Sequence, residues 1–451
     1  MRVFILIWFG QLVSLIGSGL TGFALGIWVY QRTGSVTQFA LISLCTTLPL
    51  ILISPLAGTL VDRWNRRWLM PVCSTGGTPA RNWLMIFSDS AAGLSTLAIA
   101  LLLVADRLEV WHIYLAAAWG STASAFQWPA YAAATTLLVP KKHLGRASGM
   151  TQLGQAVAQL ISPVLAGVLL VTIQLPGIIL LDFATFLCAL VTLLLVRFPD
   201  AKTTAAPEAG KGSLLREAAY GWRYITARPG LFGLLIFFTA SNFLLGFVVV
   251  LATPLVLSFA SSVVLGTILS IGGMGMLVGS LVMSTWGGSQ RRINIVFGFM
   301  LLSGLCIMAA GLRPSIPLFA LTTFLFFFGL PIINGSCQVI FQKKVAPDVQ
   351  GRVFALNGAI AGASLPLAYA IAGPLADQVF EPLMASNGAL AGSIGQLIGV
   401  GPGRGIGLLF IFMGAITILI TVVAYQYPRL RVVEDELLDA IADEAPAKAE
   451  R

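Results

Sequence analysis

The stretch "GTLVDRWNRR" (58–67) gathers one carboxylate and three arginines into six positions, although only 10% of the 451 residues are charged. Apolar runs flank it and recur along nearly the whole chain, which is 57% hydrophobic with a mean hydropathy of +0.90. A helix of about 20 apolar residues crosses a hydrocarbon core of about 30 Å and satisfies its backbone hydrogen bonds internally. The pattern therefore predicts an all-α membrane protein in which short charged segments connect spanning helices.

Twelve apolar runs are long enough to span a bilayer. If every second connection faces the same compartment, that side carries 23 of the 27 Lys and Arg residues. The positive-inside rule assigns this side to the cytoplasm. It predicts a multi-pass protein of the cytoplasmic (plasma or inner) membrane with both termini in the cytoplasm. The predicted spans are 4–30, 37–61, 82–104, 110–138, 147–172, 177–197, 231–257, 262–286, 293–312, 316–341, 353–377 and 405–427.

A linker divides the chain. The segment "PDAKTTAAPEAGKGS" (199–213) has too few apolar residues to fold alone. Apolar residues recur at helical spacing in 214–230, as expected of a helix in the membrane interface, although a solvated connector stays the alternative. The tail carries four bases against seven acids and is predicted to be a cytosolic helix or a disordered end. The predicted units are an N-terminal six-helix half (1–198), a linker with an interfacial helix (199–230), a C-terminal six-helix half (231–428) and the acidic tail (429–451).

The two halves repeat each other weakly. "VPKKHLGRASG" (139–149) matches "VAPDVQGRVFA" (345–355) at an offset of 206 residues, and the same offset aligns the "AG" pairs at 166–167 and 372–373. Repeated halves related by an axis along the membrane normal are typical of transporters, whose substrate site lies between the halves.

The charged stretch resembles a signature of the major facilitator superfamily, G-x-L-x-D-R-x-G-R-[RK], with Asn65 in place of the second glycine. The run "GVGPGRGIGLLF" (399–410) is similar to the drug-efflux branch that includes macrolide exporters. The resemblance implies twelve helices in two pseudo-symmetric halves, and secondary active efflux of multidrug or macrolide type by proton-coupled antiport with alternating access. Alternatives that stay open are an exporter of a siderophore, lipid or other metabolite, and a non-transport membrane protein.

The resemblance also implies a conformational switch at the cytoplasmic helix ends. A glycine allows close helix contact, a carboxylate can face a helix N-terminus or a base, and arginines can bridge the halves. A basic loop that only sets the topology is the alternative. The predicted switch residues are Gly58, Asp62, Arg63, Arg66, Arg67, Arg146 and Arg352.

A second resemblance lies in "AQLISPVLAG" (158–167), which looks like a degenerate form of the antiporter signature G-x-x-x-G-P-x-x-G-G. Ser162, Pro163 and Gly167 are therefore predicted to form a close helix interface between the halves, with a generic tight helix contact as the alternative. The fourth predicted span has no arginine where many proton-coupled exporters of this superfamily place one.

Few ionisable residues lie within the predicted spans. An intramembrane carboxylate is a functional candidate because burying its charge is costly unless it pairs or protonates. Asp182 and Asp89 are the candidates for proton coupling; the alternative for both is structural, and for Asp89 it is pairing with nearby arginines. Asp377 and Glu381, at the outer end of the eleventh span, are predicted to be solvated anchors, with a place in the transport path as the alternative.

Polar and aromatic residues at mid-span are candidates for a substrate cavity: Gln11, Phe126, Gln127, Asn242, Phe243, Asn334 and Asn357. Side-chain amides also join helices, and that alternative stays open for each of them. An aromatic chamber with few charges fits a small amphipathic organic substrate.

The sequence has no P-loop, catalytic motif or metal-ligand cluster, so we predict no ATP hydrolysis, enzyme activity, cofactor or metal. The bases sit in short loops, so no nucleic acid is predicted as a partner; the partners are the substrate, protons and the bilayer, and the protein is predicted to be a monomer.

The tripeptide "WLM" occurs at 68–70 and again at 83–85, on either side of a glycine-rich segment. In the resembling family the third helix follows the arginines directly. The repeat therefore predicts an insertion that enlarges the cytoplasmic loop at about 68–81, with the third helix starting near the second copy.

Overall fold

The computed structural model of the chain consists of helices and turns, without strands, in the part that it describes, residues 2–67, 80–139, 144–195, 214–286, 291–345, 349–431 and 433–436. Twelve helices of at least 21 residues lie in these ranges, and we number them in chain order. They are α1 (Arg2–Thr33), α2 (Val36–Arg67), α3 (Ala80–Val104), α4 (Val110–Leu138), α5 (Leu144–Thr172), α6 (Gln174–Leu195), α7 (Pro229–Leu257), α8 (Ser262–Trp286), α9 (Arg292–Leu312), α10 (Ile316–Lys344), α11 (Gln350–Leu375) and α12 (Arg404–Gln426).

Ten of these helices are, over their described residues, long and apolar enough to cross a membrane by length and composition. The other two are α3, whose apolar part with described side chains is the shorter segment Ser90–Val104, and α4. The predicted all-α membrane class is therefore confirmed. The number of helices that meet this criterion is lower than the twelve predicted, since parts of α3 and α4 have no described side chains.

The helices pack as two groups joined by two helix pairs. In the first group α1 packs on α5 and α6, α2 on α4, and α3 on α4 and α6. In the second group α7 packs on α11 and α12, α8 on α10, and α9 on α10 and α12. The pairs α5–α8 and α2–α11 make the most extensive contacts between the groups, which we call the first and the second bundle, and α2 also contacts α7.

The two ends of the bundles have different connections. The short connections after α1, α3, α5, α7 and α9, and the longer one after α11, lie at one end, which we call the hairpin end. The opposite end, which we call the terminal end, holds the start of α1 and the last turns of the even-numbered helices. The four bases that the positive-inside rule assigns to the outer side lie at the hairpin end, and they are Arg32, Arg107, Arg313 and Arg404.

At the terminal end, two further segments pack on the second bundle. An amphipathic helix (Leu214–Thr226) contacts α7 and α11. The start of the acidic tail folds as two short helical turns in which Leu430 and Val433 are buried against the start of α7. The backbone N–H of Ile293 donates to Glu434 (3.0 Å), which caps the start of α9. The described part of the tail therefore belongs to the core of the second bundle, a contact that the sequence did not predict.

The helix that follows the charged stretch begins at Ala80, three residues before the second "WLM". This start agrees with the prediction that the third helix begins near the second copy. Residues 68–79 lie outside the described residues, so the enlarged loop stays a prediction.

Candidate functional site

The contact between α5 and α8 is a close approach of two backbones near the hairpin end. A Cβ atom on Gly266 would collide with the carbonyl oxygen of Pro163 and lie 3.2 Å from the Cα of Val164. One turn further along α5, a Cβ on Gly167 would lie 2.7 Å from the carbonyl oxygen of Ser262. Because backbone atoms cannot rotate away, only glycine fits both positions. Small residues thus hold the bundles in direct contact.

The contact between α2 and α11 repeats this arrangement. A Cβ on Gly373 would lie 2.5 Å from the Cα of Thr37, at the first turn of α2. Gly167 and Gly373 are the glycines of the two "AG" pairs that the sequence repeat aligned. Both glycines lie near the end of their helix and face the start of a helix in the other bundle. The two pairs therefore bring the bundles together at the hairpin end.

The predicted helix-interface residues of α5 face two neighbours. Ser162 is buried and its hydroxyl donates to the carbonyl oxygen of Ile16 in α1 (3.2 Å). Pro163 and Gly167 face α8 instead. The motif therefore joins α5 to α1 within the first bundle and to α8 across the bundles.

Asp377 and Glu381 follow α11 at the hairpin end, and the prediction that they are solvated anchors is wrong. Both are half-buried and accept hydrogen bonds at helix starts. The Asp377 carboxylate binds the start of α2 through the Ser35 hydroxyl and two backbone N–H groups. The Glu381 carboxylate binds the start of α12. Both partners are remote in sequence, so no local pattern indicated these contacts.

The predicted switch residues all lie in helices at the terminal end. Those of the charged stretch are in the last turns of α2, and the remaining two are in the first turns of α5 and α11. Their side chains lie outside the described residues, and so does that of Asp89 in α3. The predicted switch residues are Gly58, Asp62, Arg63, Arg66, Arg67, Arg146 and Arg352. Their proposed role therefore stays a prediction.

Asp182 in α6 is 3% exposed and is surrounded by hydroxyl groups. Ser18 in α1 lies 3.3 Å from its Oδ1 and Thr96 in α3 lies 3.5 Å from its Oδ2, each in position to donate. Within the described part of the chain, the carboxylate contacts hydroxyls and no basic side chain. The carboxylate therefore joins three helices of the first bundle without a neutralising cation. The sequence indicated Asp182 but not its partners.

Two adjoining cavities lie in the second bundle. Ile307 in α9 and Phe326 in α10 line both cavities. The first is mainly apolar, whereas Asn242 and Asn334 line the second. The Asn242 amide nitrogen donates to the carbonyl oxygen of Phe238 (2.9 Å) within α7. The two predicted cavity amides of α7 and α10 therefore share one chamber with aromatic walls.

The other predicted cavity residues lie elsewhere. The Gln127 amide in α4 donates to Gln11 in α1 (3.3 Å), and Phe126 beside it is half-buried. Phe243 packs edge-on against Phe247 on its own helix, with ring centroids 5.2 Å apart. The Oδ1 atom of Asn357 is buried without a hydrogen-bond partner among the described residues. The predicted set thus includes two amide pairs, one in each bundle.

Two helical bundles joined by two close helix pairs, with polar groups inside an apolar shell, define a multi-pass membrane transporter. Residues 7–369 match the family model of the Major Facilitator Superfamily. The chain belongs to this superfamily.

Several curated relatives of the chain are named as efflux proteins. It is 28% identical over 384 residues to macrolide efflux protein A of Streptococcus pyogenes, an alignment that covers 83% of this chain and 90% of the relative. It is 24% identical over 389 residues to the multidrug efflux pump Tap of Mycolicibacterium fortuitum, with 83% and 89% covered. These relatives support efflux transport.

Solved structures show the same fold. A bacterial homologue of the human lysosomal transporter Spinster, in an inward-facing and unoccupied conformation, superposes with a TM-score of 0.66 at 14% identity and covers 93% of this chain and 96% of its own. The nucleoside transporter NupG gives a TM-score of 0.69 at 14% identity, with 95% and 100% covered. At these identities the likeness concerns the fold alone.

Proposed function

We propose that the protein is a secondary active exporter of bulky amphipathic compounds of the macrolide type, driven by proton antiport through alternating access. The hairpin-end contact of the two bundles carries this proposal. The two bundles meet there mainly through small-residue packing, with a few hydrogen bonds at the start of α2 and between Ser270 and Leu160, and such a contact can separate and reform. In the proposed cycle the helix pairs α5–α8 and α2–α11 part to release substrate and close again.

The proposed orientation follows from charge. The terminal end holds the great majority of the bases, so it faces the cytoplasm under the positive-inside rule. The hairpin end then faces outward, and both termini lie inside. The proposed halves of the transporter are residues 1–198 and residues 231–428, so a single chain supplies both.

Asp182 is the proposed proton acceptor. A buried carboxylate with hydroxyl partners and no basic neighbour among the described residues exchanges a proton more readily than a fixed ion pair does. Ser18 lies on α1, which also packs against α5 at the bundle interface. Movement of α1 would therefore change the hydrogen bonds of Asp182 and link its proton to the access state.

The chamber in the second bundle is the proposed substrate site. Its aromatic walls provide apolar contact area, and Asn242 and Asn334 provide neutral hydrogen-bonding groups. Among the described residues, no acidic or basic side chain lines either cavity. The site is therefore suited to large, mostly apolar molecules with hydroxyl and carbonyl groups.

Expression in a drug-sensitive bacterial host tests the substrate class. We expect resistance to macrolides to rise and that to small hydrophilic antibiotics to stay unchanged. Deletion of the gene from its own host should lower macrolide resistance. Unchanged macrolide susceptibility in both experiments, together with export of a siderophore or lipid, would contradict the proposed substrate class.

Replacing Asn242 and Asn334 together by alanine tests the chamber. Each lost hydrogen bond to substrate costs about 0.5–1.5 kcal/mol, so we expect the KM for efflux to rise about tenfold with little change in the maximal rate. The measurement is the initial efflux rate over a range of substrate concentrations. Asn294→Ala on the exposed surface of α9 is the matched control. An unchanged KM in the double variant would place the substrate elsewhere.

Replacing Asp62 by asparagine tests the predicted switch at the terminal end. The variant removes one charge without changing the shape of the side chain, so we expect efflux to fall about tenfold, the effect of one lost charge-assisted interaction. The amount of folded protein in the membrane should stay unchanged. Asp106→Asn, in the exposed turn after α3, is the control. Efflux at the level of the unmodified protein would leave the stretch with a role in topology only.

A further inference from the structure

We propose that Asp377 is a latch that holds the two bundles together at the hairpin end. Its carboxylate accepts hydrogen bonds from the Ser35 hydroxyl (2.7 Å), the Val36 N–H (3.0 Å) and the Thr37 N–H (2.8 Å). Asp377 follows α11 of the second bundle, and the three donors begin α2 of the first. The partners are 340 to 342 residues apart in the chain. One side chain thus bridges the bundles by three hydrogen bonds.

The start of α2 depends on this carboxylate. The first N–H groups of a helix have no intrahelical acceptor, and they carry a partial positive charge. Ser35 directly precedes α2, at the position where an N-cap residue is expected. Its hydroxyl accepts a hydrogen bond from the Gln38 N–H (3.3 Å) and donates one to Asp377. The backbone N–H groups of Val36 and Thr37, which have no acceptor within the helix, donate to Asp377 instead. Charge-assisted hydrogen bonds are about twice as strong as neutral ones, so the second bundle supplies the strongest part of the cap.

The latch is specific to one access state. Gly373, one turn before Asp377, lets α11 approach the first turn of α2. When α2 and α11 separate at the hairpin end, the carboxylate and the N–H groups can only bind water. A group that interacts differently with two conformations shifts the equilibrium between them by that difference. Asp377 therefore favours the conformation that is closed at the hairpin end.

The second contact between the bundles has no such group. The position that corresponds to Asp377 at the repeat offset of 206 is Val171 in α5, which is 68% exposed. At the start of α8, the Ser261 hydroxyl accepts from the Val264 N–H (3.4 Å) within the same segment. The described parts of α5 and α8 are joined by small-residue packing and by a neutral hydrogen bond from the Ser270 hydroxyl to the carbonyl oxygen of Leu160, with no carboxylate between them. The latch is therefore one-sided, which breaks the pseudo-symmetry of the fold.

Glu381 provides a matched control within the same protein. It lies one turn after Asp377, and its carboxylate accepts from the N–H groups of Gly403 (3.2 Å) and Ile406 (3.0 Å) at the start of α12. Both α11 and α12 belong to the second bundle. Glu381 therefore caps a helix as Asp377 does, but its hydrogen bonds do not connect the bundles. Loss of the Glu381 carboxylate should lower the stability of the folded protein without changing the equilibrium between the access states.

The test measures a distance across the hairpin end, because the latch acts on conformation. Spin labels are placed at Arg107, in the turn after α3, and Arg313, after α9, in the full chain with its native cysteines replaced. Both positions are exposed, and they lie in different bundles. The labelled protein in lipid nanodiscs is compared with its Asp377→Asn, Asp377→Ala and Glu381→Gln variants by pulsed electron spin resonance.

We expect both Asp377 variants to raise the ratio of long to short distances by roughly tenfold, the effect of losing a hydrogen bond to a charged group. The Glu381 variant should keep the distribution of the unmodified protein. An unchanged distribution in both Asp377 variants would overturn the latch, and so would an equal shift in the Glu381 variant. If one of the two Asp377 variants does not reach the membrane, the measurement is made on the other.

This inference rests on the proposed function, because a latch matters only if access alternates. The two are nevertheless distinguishable. The distance measurement needs neither substrate nor a proton gradient, so it reports on the latch even if macrolides are not the cargo. A protein that moves macrolides with an unchanged distance distribution would refute the latch alone.

Discussion

Replacing Gly266 by leucine is expected to lower efflux by roughly 10- to 100-fold, because overpacking a tight contact costs about 1–3 kcal/mol. The added Cβ would meet backbone atoms of Pro163 and Val164 in α5, and neither can rotate away. The helix pair α5–α8 could not close at the hairpin end. The bundles would then stay apart, and the transporter would be trapped in a conformation open to the outside.

Two measurements check this expectation. Efflux from cells gives the loss of transport, and the distance between labels at Arg107 and Arg313 gives the trapped conformation. Gly298→Leu is the matched control, because a Cβ at that position of α9 meets nothing within 4 Å. Normal efflux in the Gly266 variant would show that α5 and α8 need not make this contact during the cycle.

Replacing Asp182 by asparagine is expected to abolish proton coupling. Asparagine has the shape of aspartate; its amide oxygen can accept from one of the Ser18 and Thr96 hydroxyls and its NH2 group can donate to the other, so the packing of three helices should be preserved. It cannot bind or release a proton at neutral pH. Uphill efflux driven by a pH gradient should therefore fall at least about tenfold, as expected when a free-energy source worth more than 1.4 kcal/mol is lost. Downhill equilibration of substrate should continue.

The measurement compares the initial transport rate with and without an imposed pH gradient in liposomes that contain the purified variant. The exposed Asp106→Asn variant is the control for a change of net charge. If the Asp182 variant keeps the gradient dependence of the unmodified protein, another group carries the proton.

Most of the helical architecture could be predicted from the sequence. Apolar length is a local property, so the runs at 262–286 and 110–138 agree with α8 and α4 to the residue. The alternation of basic loops also placed Arg107 and Arg313 at the same end. Both signals are contained in segments of a single helix and its connections, and no knowledge of tertiary contacts is needed.

The contacts between helices could not be predicted in the same way. Asp377 was expected to be solvated because its partners at the start of α2 are more than 300 residues away. Asn242 and Asn334 share a chamber, whereas Gln11 pairs with Gln127 in the other bundle. The sequence could not separate these sets, because a membrane helix is apolar on all sides and its pattern does not indicate which face points to a cavity. The weak internal repeat did indicate one such feature, since Gly167 and Gly373 occupy corresponding positions in the two helix pairs.

Transport by the purified protein in liposomes, with an imposed pH gradient as the sole energy source, tests the proposed function most directly. The substrate is a radiolabelled macrolide, and the gradient is collapsed with a protonophore in a parallel sample. We predict saturable accumulation of the macrolide against its concentration gradient, which the protonophore abolishes and empty liposomes do not show. Accumulation that persists after the gradient is collapsed, or movement that never saturates, would contradict a proton-coupled exporter.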